Sequence, residues 1–170
     1  MQTENRDELV QVLNDLVRIN NDRVEGYERA IEDTKDGNQD LISVFNKMID
    51  ESRQYKSELV EAIGTLGGSA DFEETTNSGK IYRFWMKIKE TLSGGSRGSV
   101  LDDCEFGEDA AQKAYQEAIE TDVAMDLDTR DLIITQKNAL KNSHDKIKRL
   151  RDLQKEVSDL KKGQPTRSYN

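Results

Sequence analysis

Leu41, Phe45, Met48, Ser52, Tyr55, Leu59, Ala62 and Leu66 follow one another in steps of four and three residues. That spacing holds them on one face of a helix and conflicts with the two-residue period of a strand. The pattern recurs in three further segments. Leu9, Leu13, Leu16, Asn20, Tyr27 and Ile31 mark a first helix over about residues 6–34, ahead of the second at about 39–66. Leu101, Cys104, Glu108, Ala111, Tyr115 and Ala118 mark a third over about 100–121. Ile133, Gln136, Leu140, Ser143, Ile147, Leu150 and Val157 mark a fourth over about 129–160. Charged residues make up 35% of the chain and proline occurs once, so long amphipathic helices are expected rather than disorder.

The connections set the topology. Lys35-Asp36-Gly37-Asn38 is a short turn, Gly67-Gly68 stops the second helix, and helices three and four are also closely joined. Each pair is therefore expected to be an antiparallel hairpin. The segment 67–98 between them is far longer than an ordinary loop. A helix of ~30 residues is ~45 Å long, and such a connector can run back along all of it. The expected fold class is all-α: a four-helix bundle of two antiparallel hairpins with one long crossover, the topology of ferritin-like folds. Within the crossover, Ile81, Phe84, Trp85, Ile88 and Leu92 share one helical face, which predicts a short helix packed across the bundle. The alternative is a surface helix, Ile81 to Leu92, offered to a protein partner or a membrane. The domain is expected to span residues 1–162, with a flexible tail over 163–170.

Several function classes fall away. A net charge of −9 and a pI of 4.8 argue against nucleic acid as a partner. No apolar run approaches the ~20 residues of a membrane span, and the start lacks the features of a signal peptide. A cytoplasmic location is the expectation, with the single cysteine, Cys104, reduced and acting as a small core hydrophobe. No Gly-x-Ser-x-Gly or His-Glu-x-x-His arrangement is present, and Gly94-Gly95-Ser96-Arg97-Gly98 lacks the lysine-serine ending of a phosphate loop.

The informative residues interrupt the apolar stripes. Glu108 occupies a core position in the third helix, where a carboxylate must be paired, protonated or metal-bound. His144, the only histidine, lies between Leu140 and Ile147 and interrupts the fourth stripe with Gln136 and Ser143, while Asn20 interrupts the first and Ser52 the second. Counted from the hairpin turns, Asn20 and Glu51 lie ~23 Å down, and Glu108 and His144 ~27 Å from the opposite end. One central polar layer is expected. Di-iron bundles use a Glu from each of two helices and Glu-x-x-His from the other two. This chain offers Glu51-Ser-Arg-Gln54 and Lys141-Asn-Ser-His144 instead, so the donors for a dinuclear centre are missing. The candidate ligands are Glu51, Glu105, Glu108 and His144, enough for a single Fe, Mn or Zn ion. The favoured reading is a metal-free network in which His144 bonds Glu108, closed by Tyr27, Tyr55 or Gln136.

Leu13-Asn14-Asp15-Leu16 with Glu25-Gly26-Tyr27, then Glu51-Ser-Arg-Gln54, Arg83-Phe84-Trp85-Met86-Lys87-Ile88-Lys89, Cys104-Glu105-Phe106-Gly107-Glu108-Asp109-Ala110 and His144-Asp145-Lys146-Ile147 form an ordered set. In that order the chain resembles, over about residues 8–155, a bacterial family of ferritin-like four-helix-bundle proteins of unknown function. The resemblance implies the ferritin-like fold and an association with bacterial stress or envelope-linked responses. It also marks Glu105, Glu108 and His144 as the motif residues that matter, while Asn21-Asp22-Arg23 departs from an aspartate-glycine pair common in the family. The resulting expectation is a non-enzymatic binding or structural module, self-associating as a dimer. The alternative is a metal-dependent oxidase or metal-handling protein using Glu51, Glu108 and His144.

Overall fold

A computed structural model of the chain describes residues 2–34, 37–70 and 96–163. Among them are four helices: α1 (Gln2–Asp33), α2 (Gln39–Thr65), α3 (Arg97–Glu120) and α4 (Leu127–Gly163). The predicted crossover helix falls outside the described residues.

The helices form a four-helix bundle in which α1 packs on α2 and α3, and α4 packs on α3 and α2. Direction follows from the contacts. Asn5 meets Ala124 and Arg23 meets Glu108, so α1 and α3 are antiparallel. Glu51 meets Ser143, while Gln136 reaches Tyr55 and Glu58, so α2 and α4 are antiparallel too. The order is thus up, down, down, up. The Nη1 of Arg97, at the start of α3, donates to the Oδ1 of Asn38, just before α2 begins, at 2.7 Å. The end of α2 and the start of α3 therefore lie at opposite ends of the bundle. Four successive hairpin turns are excluded.

Local chemistry fixes the helix ends. Gly67 takes a φ of +76°, and the N–H groups of Gly67 and Gly68 donate to the carbonyls of Gly64 and Ile63 at 2.9 and 3.0 Å. This paired closure satisfies the last carbonyls of α2 and needs a residue without a Cβ at position 67. Ser96 caps α3 by accepting the N–H of Ser99 at 3.3 Å, and Asp126 caps α4 by accepting the N–H of Thr129 at 2.8 Å. Asn5 exchanges two hydrogen bonds with the backbone of Ala124, tying the α3–α4 loop to the start of α1.

The apolar core is in two parts. One holds Leu13, Leu16, Leu59, Ile63, Ala114, Tyr115 and Ile133; the other holds Tyr27, Leu41, Phe45, Met48, Leu101 and Ile147. Between them, along every helix, stand buried polar residues: Asn20 and Arg23, Ser52, Glu108 and Ser143. Ile31 and Leu150, expected inside, only pack against the second cluster, and Val157 is exposed.

Candidate functional site: a central polar layer and an outer triad

The layer is built around Arg23. Its place on α1, three residues after Asn20 and four before Tyr27, continues the buried stripe and sends the guanidinium into the bundle. Nε and Nη2 donate to Glu108 Oε1 at 3.2 and 2.5 Å, and Nη1 donates to Ser52 Oγ at 2.6 Å. The Ser52 hydroxyl donates to the carbonyl of Met48 at 2.8 Å, inside its own helix. The Tyr27 hydroxyl also donates to Glu108 Oε1, and the Arg23 guanidinium carbon lies 5.5 Å from the centre of the Tyr27 ring. Both charged side chains are at most 2% exposed.

Burial alone would lower the Arg23 pKa, but Glu108 beside it outweighs that and raises it above the ordinary value. Burial, reinforced by Glu108, likewise pushes the Tyr27 phenol upward. Both are held in one protonation state, cation and neutral phenol. Glu108 Oε2 is buried without a hydrogen-bond partner. Cys104, half-buried on the same helix, has its thiol pushed up by burial and by Glu108, which keeps it protonated and unreactive.

A second set of bonds lies toward the other end of α3. Asn20 Nδ2 donates to the Tyr115 hydroxyl at 2.9 Å, and that hydroxyl donates to Gln136 Oε1 at 2.7 Å. Gln136 Nε2 in turn donates to the Tyr55 carbonyl at 3.1 Å and to Glu58 Oε2 at 3.0 Å. The chain of contacts runs through all four helices.

The expected Glu108–His144 bond does not form. Glu108 faces Arg23 and Tyr27, whereas His144 lies at the α3–α4 seam. Its Nε2 is 2.5 Å from Asp109 Oδ1, and its Nδ1 is 3.1 Å from Asp145 Oδ1. At this register Ser143, not His144, turns inward, and its Oγ donates to Glu51 Oε2 at 2.9 Å. Glu105 sits one helical turn before Asp109 and is paired with Arg151 at 3.0 Å. Among the described residues, the group of acidic and imidazole donors close enough to share an ion is Glu105, Asp109 and His144, all within 4.8 Å of one another. Glu105 and His144 are thus brought together, while Glu51 and Glu108 lie apart from them. Sequence reasoning missed Arg23 and Asp109. Arg23 could have been found from its 3-4 spacing with Asn20 and Tyr27, and Asp109 from its place four residues after Glu105.

Residues 8–121 match the family described as a domain of unknown function, DUF2383. The chain belongs to this family. The DUF2383 match takes in Arg23, Ser52, Glu105, Glu108 and Asp109 and stops before Gln136, Ser143 and His144. None of the curated proteins compared with the chain matches it. No helix among the described residues is long and apolar enough to cross a membrane.

Proposed function

We propose that this DUF2383 protein is a non-enzymatic, self-associating bundle of ferritin-like ancestry that serves as a structural or binding module. The observation that carries the reading is the Arg23 guanidinium on Glu108. In a di-iron bundle, inward carboxylates are balanced by metal cations. Here a side-chain cation already balances the inward carboxylate, and Ser52 and Tyr27 complete its surroundings. A dinuclear centre does not fit these residues: among the described residues Glu108 is the carboxylate that meets Arg23, while Glu51 and Glu58 accept hydrogen bonds from Ser143 and Gln136 instead. The up-down-down-up order with one long crossover supports ferritin-like ancestry. The stress-linked setting and the dimer belong to the same reading, the first resting on the resemblance described above.

The test is iron oxidation. Anaerobic protein is loaded with Fe2+ and mixed with oxygen, and the ferric product is followed by absorbance. The expected result is no acceleration over buffer. Oxidation faster than buffer that is lost in Glu108→Gln would overturn the reading, because it would place a working metal centre in the layer. Sedimentation at rising protein concentration tests the self-association.

A further inference from the structure

We infer that the outer α3–α4 seam carries a site for one divalent transition-metal ion, of the zinc class, held by Glu105, Asp109 and His144. This inference is independent of the core: Arg23 and Glu108 take no part in it.

The three donors come from two helices, with Glu105 and Asp109 one turn apart on α3 and His144 facing them from α4. They combine one imidazole with two carboxylates, a set that suits zinc, manganese or ferrous iron and offers little to a thiolate-seeking ion. In a tetrahedral site with bonds of about 2.1 Å, ligand atoms sit about 3.4 Å apart. The three donor atoms all lie within 4.8 Å of one another, so side-chain rotations of about an ångström bring them onto one ion. The His144–Asp109 contact, now 2.5 Å, would open by a similar amount as the ion replaces the shared proton.

The surroundings also match. Metal-bound histidines commonly give their second ring N–H to a carboxylate, which fixes the tautomer and leaves the other nitrogen's lone pair for the ion. Asp145 stands in that place, 3.1 Å from Nδ1, so Nε2 is the nitrogen aimed at Glu105 and Asp109. Arg151 holds Glu105 in place through an ion pair to Oε2 at 3.0 Å. Around the imidazole stand three carboxylates, Glu105, Asp109 and Asp145, against Arg151 on Glu105 and Lys141 on Asp145; Asp152, farther along α4, has Lys148 and Lys155 near it as well as Arg151. A dication would add to the cations that face those three carboxylates. Glu105 and His144 are mostly covered, 14% and 16% exposed, while Asp109 is half-exposed, so the remaining coordination positions open to water. The arrangement is an open three-donor site rather than a closed structural one.

The simpler account is a His–Asp ion pair that binds no metal, and the experiment separates the two. Untagged full-length protein is stripped with chelator and titrated with Zn2+ by calorimetry and with Co2+ by visible absorption, with Mg2+ as a hard-ion control. The expected result is one saturable equivalent of Zn2+, a Co2+ spectrum typical of low coordination number, and no comparable Mg2+ binding. His144→Gln, Asp109→Asn and Glu105→Gln should each weaken Zn2+ at least tenfold, while Glu117→Gln, on an exposed face of α3, should leave it unchanged. Absence of saturable binding would overturn the proposal. So would binding that survives both His144→Gln and Asp109→Asn, since that would mark attraction to the acidic surface in general. Asp109→Asn alters a half-exposed side chain and keeps the test valid if His144→Gln fails to fold. Failure here leaves the reading of the core intact, and accelerated iron oxidation lost in Glu108→Gln would leave this site intact.

Discussion

Arg23 and Glu108, 85 residues apart in sequence, meet at 2.5 Å in the middle of the bundle, with both side chains out of contact with solvent. Two ions in such a place attract strongly, yet each has given up its hydration, so the net gain over an apolar pair is small or negative. Their separate removal is another matter. Arg23→Met leaves an unpaired carboxylate and should cost about 3–5 kcal/mol of unfolding free energy. Arg23→Met combined with Glu108→Leu should recover most of that loss. Urea unfolding of the two single variants and the double variant checks this through the coupling energy. Single and double variants of equal stability would show that the pair does not act as a unit.

Tyr115 offers a neutral counterpart. Its hydroxyl is both acceptor for Asn20 and donor to Gln136, and no water can reach it. Tyr115→Phe keeps the ring and removes the bridge, leaving two buried amides short of a partner. The expected cost is about 1–3 kcal/mol, read as a lower urea midpoint at unchanged slope. A variant as stable as the parent would mean that Asn20 and Gln136 rearrange to satisfy each other.

The stripes made the fold legible because burial in a bundle depends on which face a residue occupies, and the 3-4 spacing states that face directly. The partners within the layer were less legible. His144 and Ser143 both satisfy the spacing between Leu140 and Ile147, one choosing a step of four and the other a step of three. Only the packing of α4 against α2 decides that Ser143 turns inward and His144 turns to α3. Arg23 was hidden differently. It stands in a polar run, Asn21-Asp22-Arg23, where composition suggests a surface, although its position is internal. At the far end, the apolar rhythm of α4 continues to Val157 and Leu160, yet both are exposed. Arg97 already contacts Gln154, so α3 begins there and has no residues left to cover the rest of α4.

Gly68 closes α2 against α1 at very short range. A Cβ at this position would lie 2.7 Å from Val10 Cγ2 and 2.9 Å from Cγ1, on a branched side chain with little freedom to withdraw. Gly68→Ala should therefore destabilise the fold by about 1–3 kcal/mol, the range for overpacking, toward its lower end because Gly68 and Val10 are only half-buried. The paired Val10→Ala/Gly68→Ala variant should be more stable than Gly68→Ala alone. If instead the second change adds its own loss, the clash is not the cause. Thermal unfolding of the three proteins distinguishes these outcomes.

His144 gives the chain a pH-dependent contribution with a definite sign. Burial alone would lower its pKa, but hydrogen bonds to Asp145 and Asp109 and the charges of both outweigh burial and raise it above 6.5. Glu105 and Arg151 lie beside the same cluster, and Lys141 pairs with Asp145 on the solvent side. The folded state thus holds the imidazole proton more tightly than the unfolded chain does. The stabilisation is fully present below the unfolded pKa and is lost as pH rises through the raised folded value. Asp145 behaves in the opposite way: its pKa is lowered, so its contribution is present above 3.8 and is lost only as pH falls through the lowered folded value. The two effects occupy different windows. In chelator-treated, low-salt buffer, the stability difference between the parent and His144→Gln should therefore shrink as pH rises upward from 6.5. The measurement is a series of urea midpoints for both proteins across that interval. A difference that grows with pH would mean that the imidazole is held neutral at the seam and that the Asp109 contact is not an ion pair.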